Sequence, residues 1–283
     1  MTLWAAFVGL TGVVVSLVVV LAFLTQRLLD AEPSARRSTV RLQPTGLDPA
    51  VTRSRWVRVR PAGRSTPTGG TASPRASPTS IPTVALFVNV VLTQGVFGGV
   101  LLVGALVFSI PLPAFGIDPV SPSALAPAIG LGIGLGIGLW IGSELAVAVA
   151  DWAGIDYDQG VRAMLTPTTR GEWVLLLGVV LPIVAASEEF IFRAAAIGVP
   201  ATGLDASPWA LAVVSSLAFG VAHGAQGRAG VAVTGLLGLA LASLYIATGS
   251  LLVVVVAHYV VNATEFLVNA TGTDPIATTT VTR

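Results

Sequence analysis

Six ionisable side chains fall within the last four apolar stretches of the chain, where charge is otherwise rare. They are Glu188, Glu189, Arg193, His223, His258 and Glu265. An ionisable side chain costs about 2.5 to 3.5 kcal/mol at the centre of a membrane helix when it faces lipid unpaired. We therefore expect these side chains to face a polar cavity enclosed by protein. Carboxylates and imidazoles gathered in such a cavity are suited to general acid–base chemistry.

The helical spacing of Glu188, Glu189 and Arg193 indicates different roles for the two glutamates. Glu189 and Arg193 are four residues apart on one helix face, with the acid nearer the N-terminus, which favours an ion pair. Glu188 is rotated by about 100° from Glu189, so Arg193 cannot easily neutralise both carboxylates. One carboxylate is therefore expected to be structural, and the other to be available for chemistry.

The other three residues follow the same periodicity. His258 and Asn262 share one helix face, with Glu265 three residues beyond on the same stripe, and His223 lies four residues after Phe219. A single buried histidine or asparagine is commonly a structural hydrogen-bonding group between helices. Both histidines of a chain that has only two, together with a spare glutamate, instead indicate a functional site. Glu265 lies near the end of its span and is expected at the membrane interface.

The composition indicates the class of protein that carries these residues. Of the 283 residues, 54% are hydrophobic and 10% are charged, which excludes an ordinary soluble protein. A helix needs about 20 apolar residues to cross a bilayer. We therefore predict an all-α polytopic membrane bundle of about seven transmembrane helices. The predicted spans are Leu3 to Leu24, Thr83 to Ile110, Leu125 to Ala150, Trp173 to Val199, Pro208 to Gly224, Val231 to Thr248 and Leu251 to Asn269.

The arginines predict the domain organisation and the topology. Ten of the fifteen arginines lie between Arg27 and Arg75, so we expect a membrane helix at residues 1–24, a largely disordered Arg/Pro/Ser-rich loop at 25–81 and a membrane bundle at 82–283. Arginine-rich loops remain cytoplasmic, which places the N-terminus outside. The chain contains no cysteine, which excludes a disulfide framework and a cysteine nucleophile. The absence of lysine is a compositional hint of a prokaryotic source.

Glycines in the third span predict a packing surface. Gly130, Gly134, Gly138 and Gly142 recur every four residues, so one helix face lacks side chains. A neighbouring helix can approach such a face closely. We expect these four glycines to form a helix contact and not a phosphate-binding loop.

Three short motifs on successive helices resemble a known family. Residues 188–193 (EEFIFR) match EExxxR, residues 219–223 (FGVAH) match FxxxH, and residues 258–262 (HYVVN) match HxxxN. These motifs, in this order, are those of the CPBP family, which comprises type II CAAX prenyl endopeptidases and bacteriocin-processing, Abi-like intramembrane proteases. The resemblance covers residues 172–269 and leaves the first 170 residues unexplained.

The resemblance implies hydrolysis of peptide bonds within the membrane. Carried over by position, Glu188 acts with His223 to activate a water molecule, while His258 and Asn262 hydrogen-bond the developing oxyanion. Two preorganised donors in a water-poor cavity stabilise a tetrahedral intermediate effectively.

The supporting residues and the partners are implied in the same way. Glu189 and Arg193 would form the supporting ion pair. Substrates would be membrane-proximal or lipid-modified peptides that enter from the cytoplasmic side of the cell membrane, because prenyl chains partition into bilayers. We expect no nucleic acid partner, and the oligomeric state is open.

The cofactor requirement has two interpretations. Glu188, His223 and His258 match a His2Glu zinc set with a vacant position for water, and the family has been described both as metalloproteases and as glutamate proteases. A metal-free mechanism is favoured, because no HExxH or HxxH pattern places two histidines on one helix.

Two other functional classes are compatible with the same residues. One is a non-catalytic immunity or scaffold protein that retains the fold. The other is a proton- or metal-coupled transporter, because Glu/His chains in membranes also carry ions. No paired inverted repeats with broken helices are visible, which disfavours the transporter. The absence of a GxSG segment on a span disfavours a rhomboid-type serine protease.

Overall fold

The computed structural model describes residues 2–31, 82–118, 122–155 and 160–270. Within these ranges all regular structure is helical and no strand is present, as the sequence predicts. The α-helices, numbered in chain order, are α1 (Trp4–Ala31), α2 (Thr83–Val107), α3 (Pro122–Trp152), α4 (Gly160–Leu165), α5 (Arg170–Leu204, with two π-helical segments), α6 (Pro208–Ala222), α7 (Gly227–Thr248) and α8 (Leu251–Ala270).

Six helices in the described ranges are long and apolar enough to cross a membrane: α1, α2, α3, α5, α7 and α8. Their outer faces carry exposed apolar side chains, such as Leu106, which is 75% exposed. The sequence predicts seven spans, and the difference is α6. Its 15 residues extend only about 22 Å at 1.5 Å per residue, less than a bilayer core of about 30 Å.

The predicted loop at residues 25–81 falls mainly outside the described residues. Helix α1 continues past the predicted end at Leu24 and reaches Ala31. Residues 32–81 are not described, so the expected disorder and cytoplasmic position of the arginine-rich segment remain predictions.

Helix α5 carries the first of the three motifs and has an irregular course. It begins at a capping box, in which the Thr169 hydroxyl accepts from the backbone N–H of Glu172 at 3.2 Å. Its π-helical segments, Leu176–Val180 and Phe190–Gly198, each lie just before a proline, Pro182 or Pro200. A proline lacks the backbone N–H and its ring clashes with the carbonyl four residues earlier, so a wider turn accommodates it.

The predicted end of this span at Val199 is therefore too early. The helix runs through Pro200 to Leu204 and ends where Asp205 adopts a left-handed conformation, with φ at 52°. The π-helical segment absorbs the proline and keeps Arg193 within a continuous helix.

The glycine prediction for α3 is also wrong, because the helix uses a different face. A Cβ atom on Gly130, Gly134, Gly138 or Gly142 would meet nothing within 4 Å. On Gly136 it would lie 2.6 Å from the Ala257 carbonyl oxygen of α8, and on Gly132 it would lie 2.7 Å from the Val256 side chain. The interleaved glycines therefore form the contact. Four-residue spacing alone does not show which face meets the neighbouring helix.

Two apolar clusters include side chains of the helices that carry the motifs. Phe7 of α1, Phe192 of α5 and Phe219 of α6 belong to one cluster. Phe87 of α2 and Leu176 of α5 belong to the other. The rings of Phe192 and Phe219 meet edge to face at 5.1 Å, which ties α6 to the π-helical part of α5.

Candidate active site

Glu189 and Arg193 form an ion pair that is sealed inside the bundle. Arg193 Nη1 donates to Glu189 Oε1 at 2.9 Å, and the two residues are 1% and 0% exposed. Arg193 Nη2 also donates to the carbonyl oxygen of Gly238 on α7, at 3.0 Å. The guanidinium group stacks over the Phe219 ring, 4.5 Å from its centroid. The pair therefore links α5 to both α6 and α7.

His258 lies between the two adjacent glutamates. Its Nδ1 atom is 2.6 Å from Glu189 Oε1, and its Nε2 atom is 3.7 Å from Glu188 Oε2. An ionised carboxylate can only accept, so Nδ1 carries the hydrogen of the short contact. The second nitrogen is left facing Glu188.

Glu188 is held by a residue that the motifs do not include. Gln94 of α2 donates from Nε2 to Glu188 Oε1 at 2.7 Å. Glu188 is 7% exposed, so this hydrogen bond lies at the edge of the buried region. The sequence reasoning missed Gln94, although an amide side chain within the apolar run of α2 is itself a signal of an interhelical hydrogen bond.

His223 stands at the C-terminal end of α6. Its Nδ1 atom donates to the Phe219 carbonyl oxygen at 2.8 Å, and its ring packs 4.6 Å from the Phe219 ring. This hydrogen bond fixes the orientation of the imidazole. In the neutral ring it leaves Nε2 as an acceptor.

A cavity of about 260 Å³ joins these groups. Glu188, His223, His258 and Asn262 all line it, as does Gln94. Glu189 and Arg193 are not among the lining residues, so the expectation that they face a polar cavity is wrong: they pair with each other in a sealed site instead. The cavity exceeds by far the volume that one water molecule requires.

A second polar group lines the same cavity. Glu265 of α8 forms an ion pair with Arg162 of α4, and both side chains line the wall together with Glu144 of α3. Glu265, which the sequence places at the membrane interface, thus contributes to the cavity as well. The short helix α4, which the sequence did not predict, is tied to α8 by this pair.

The possible zinc set can be tested against the geometry. Among the described residues, no group of three or more His, Asp or Glu side chains lies in an arrangement that could hold a metal ion. Glu188, His223 and His258 therefore do not fit a zinc site as they are placed here.

The fold and the cavity together define a class: a polytopic helical membrane protein whose helices gather acid and imidazole groups in an enclosed polar site. Residues 170–264 match the family model of the type II CAAX prenyl endopeptidase Rce1-like proteins. The match confirms the resemblance drawn from the motifs, in which this segment is similar to the CPBP family of intramembrane proteases. Comparison with curated proteins and with solved structures gave no match.

Proposed function

We propose that this protein is an intramembrane endopeptidase that uses Glu188 to activate a water molecule and hydrolyse peptide bonds of membrane-associated, prenylated substrates. One observation carries the proposal. Glu188 Oε2 and His258 Nε2 face each other at 3.7 Å beside the cavity, while the opposite atom of each side chain is held by a neighbouring residue. Such a pair is preorganised for chemistry on a group that lies beside it in the cavity.

The first step is attack by water on the scissile carbonyl carbon. Glu188 Oε2 accepts a proton from the water molecule, and His223 Nε2 accepts a hydrogen bond from it. The new C–O bond forms as the carbonyl π electrons move onto oxygen. Both acceptors line the same cavity, which is the arrangement that general base catalysis requires.

His258 and Asn262 receive the negative charge that develops on the oxygen. They are one helical turn apart on α8 and both line the cavity. His258 donates from Nε2 when both ring nitrogens carry hydrogen. In that form, the positive charges of His258 and Arg193 offset the negative charges of Glu188 and Glu189. The intermediate collapses as the C–N bond breaks, and the proton held by Glu188 passes to the leaving nitrogen.

Glu189 and Arg193 act as support in this scheme. Glu189 holds His258 Nδ1, and Arg193 holds Glu189. Neither residue lines the cavity, so neither is expected to touch the substrate. No step in the scheme passes through a metal ion.

The nature of the substrate is inferred from the cavity wall and from the matched family. Apolar side chains of α2 and α5 contribute to the cavity wall, including Val90, Leu176 and Val184. Apolar walls with a few convergent polar groups are typical of sites for apolar ligands. The matched family model is named for CAAX prenyl endopeptidases, which supports a prenylated peptide as the substrate.

The test is hydrolysis by the purified full chain in proteoliposomes. A farnesylated CAAX-type peptide and the same peptide without the lipid would be incubated in water enriched in ¹⁸O. We expect cleavage of the farnesylated peptide, with one ¹⁸O atom in the new carboxyl group, and slower cleavage of the unmodified peptide. Replacing the exposed carboxylate Asp151 by asparagine should leave the rate unchanged. Folded protein that cleaves neither peptide, nor a panel of membrane peptides, would support the non-catalytic interpretation.

A further inference from the structure

Gln94 is the polar contribution of α2 to the cavity. From this helix only Val90 and Gln94 are among the lining residues. Gln94 precedes the matched segment, residues 170–264, by more than seventy residues. Its hydrogen bond to Glu188 thus joins the segment that carries the motifs to a helix outside it.

The backbone geometry brings α2 close enough for this contact. Gly98, one turn after Gln94, faces α5 so closely that a Cβ atom there would lie 3.3 Å from Ser187 Oγ. Ser187 directly precedes Glu188. The missing side chain at residue 98 therefore allows the two helices to approach at the level of the Gln94 and Glu188 side chains.

The chemistry of the two groups defines the orientation of the amide. An ionised carboxylate accepts hydrogen bonds only, so the amide must present its NH2 group and not its oxygen. A hydrogen bond to one oxygen makes the two carboxylate oxygens inequivalent. Oε1 is engaged by Gln94, and Oε2 is left toward His258 Nε2.

We propose that Gln94 is a positioning residue for the reaction: its amide fixes the rotation of the Glu188 carboxylate so that Oε2 is the oxygen that accepts the proton from water. This inference rests on the proposed function. It extends the functional unit to α2, which lies outside the family match. Gln94 acts through Glu188 and need not contact the substrate.

The experiment separates positioning from folding. Gln94→Met keeps the length of the side chain and removes the donor, while Gln94→Asn keeps the amide but shortens the reach by about 1.5 Å. Thr93→Val is the matched control, because the Thr93 hydroxyl is exposed and donates only to the Asn89 carbonyl oxygen of its own helix. The measurements are kcat and KM on the farnesylated peptide, and thermal unfolding in detergent.

We expect both Gln94 variants to lower kcat by about 10- to 100-fold, because a carboxylate that is no longer held in rotation presents its oxygens to the water molecule in the wrong geometry. KM and the unfolding temperature should remain near those of the wild type, because the change removes an interaction that matters in the transition state. Thr93→Val should leave kcat unchanged.

The outcomes distinguish the inference from the proposed function. An active wild type with unchanged kcat in Gln94→Met would overturn the positioning role and leave the proposed function intact. A joint fall of kcat and unfolding temperature in both Gln94 variants would overturn it in favour of a purely structural role. A folded wild type that hydrolyses no peptide would overturn both.

Discussion

His258 contacts Glu189 through Nδ1 at 2.6 Å, while its Nε2 lies 3.7 Å from Glu188. Two glutamates that are consecutive in sequence therefore lie next to different nitrogens of one imidazole ring. This is possible because successive helical residues point about 100° apart. Nδ1 contacts the Glu189–Arg193 ion pair, and Nε2 faces Glu188, which lines the cavity. One imidazole ring therefore connects the buried ion pair with the proposed catalytic base.

The buried ion pair should be strongly coupled to stability. Glu189→Gln leaves Arg193 charged in an enclosed site, and we expect a loss of about 3 to 5 kcal/mol in the free energy of unfolding. Thermal or denaturant unfolding in detergent measures it.

The double variant Glu189→Gln, Arg193→Gln is the internal control for that measurement. It removes both charges together and should be less destabilised than Glu189→Gln alone. A double variant that is as unstable as the sum of the two single changes would contradict a direct pair.

The contact between α3 and α8 should distinguish two glycines that are two residues apart. Gly136→Ala places a methyl group 2.6 Å from the Ala257 carbonyl oxygen, and such overpacking costs about 1 to 3 kcal/mol. Gly134→Ala meets no atom within 4 Å and should be neutral or slightly stabilising. Unfolding temperatures of the two variants test this contrast, and equal temperatures would contradict the packing described here.

Asn262 should affect the rate and not substrate binding. Loss of one oxyanion donor lowers kcat by about 100- to 1,000-fold in known cases, and we expect Asn262→Ala to behave similarly with KM little changed. Asn262→Asp should be impaired further, because it presents negative charge to the developing oxyanion. Steady-state kinetics on the farnesylated peptide measure both. A rise in KM at constant kcat would assign Asn262 to ground-state binding instead.

Chelation should leave the activity unaffected. No three-ligand group is present among the described residues, and the proposed base is Glu188 itself. Activity is measured after dialysis against a strong zinc chelator and again after zinc is added back. Loss of activity that zinc restores would contradict the proposed mechanism.

Part of this arrangement follows from the sequence because charge in lipid is so costly. Glu188, His223 and His258 lie in apolar stretches and therefore had to face an enclosed cavity, which is where the structure places them. The helical bundle follows from composition and span length. These inferences depend on the high free-energy cost of charged groups in lipid and on helical periodicity. They do not require knowledge of which helices are neighbours.

The features that were missed depend on which helices become neighbours. The choice of Gly136 over Gly134 is decided by the position of α8 and not by spacing within α3. Gln94 becomes relevant only when α2 packs beside α5. The continuation of α5 through Pro200 was not predicted, because the π-helical segment that accommodates the proline is not specified by any local sequence pattern.

The most direct test of the account is the rate of peptide hydrolysis by Glu188→Gln. This variant keeps the size of the side chain and removes the base, while Asp151→Asn makes the same chemical change on an exposed residue. With the farnesylated peptide in proteoliposomes, we predict no detectable cleavage by folded Glu188→Gln and a wild-type rate for Asp151→Asn. Hydrolysis by Glu188→Gln at the wild-type rate would contradict the central role assigned to this carboxylate.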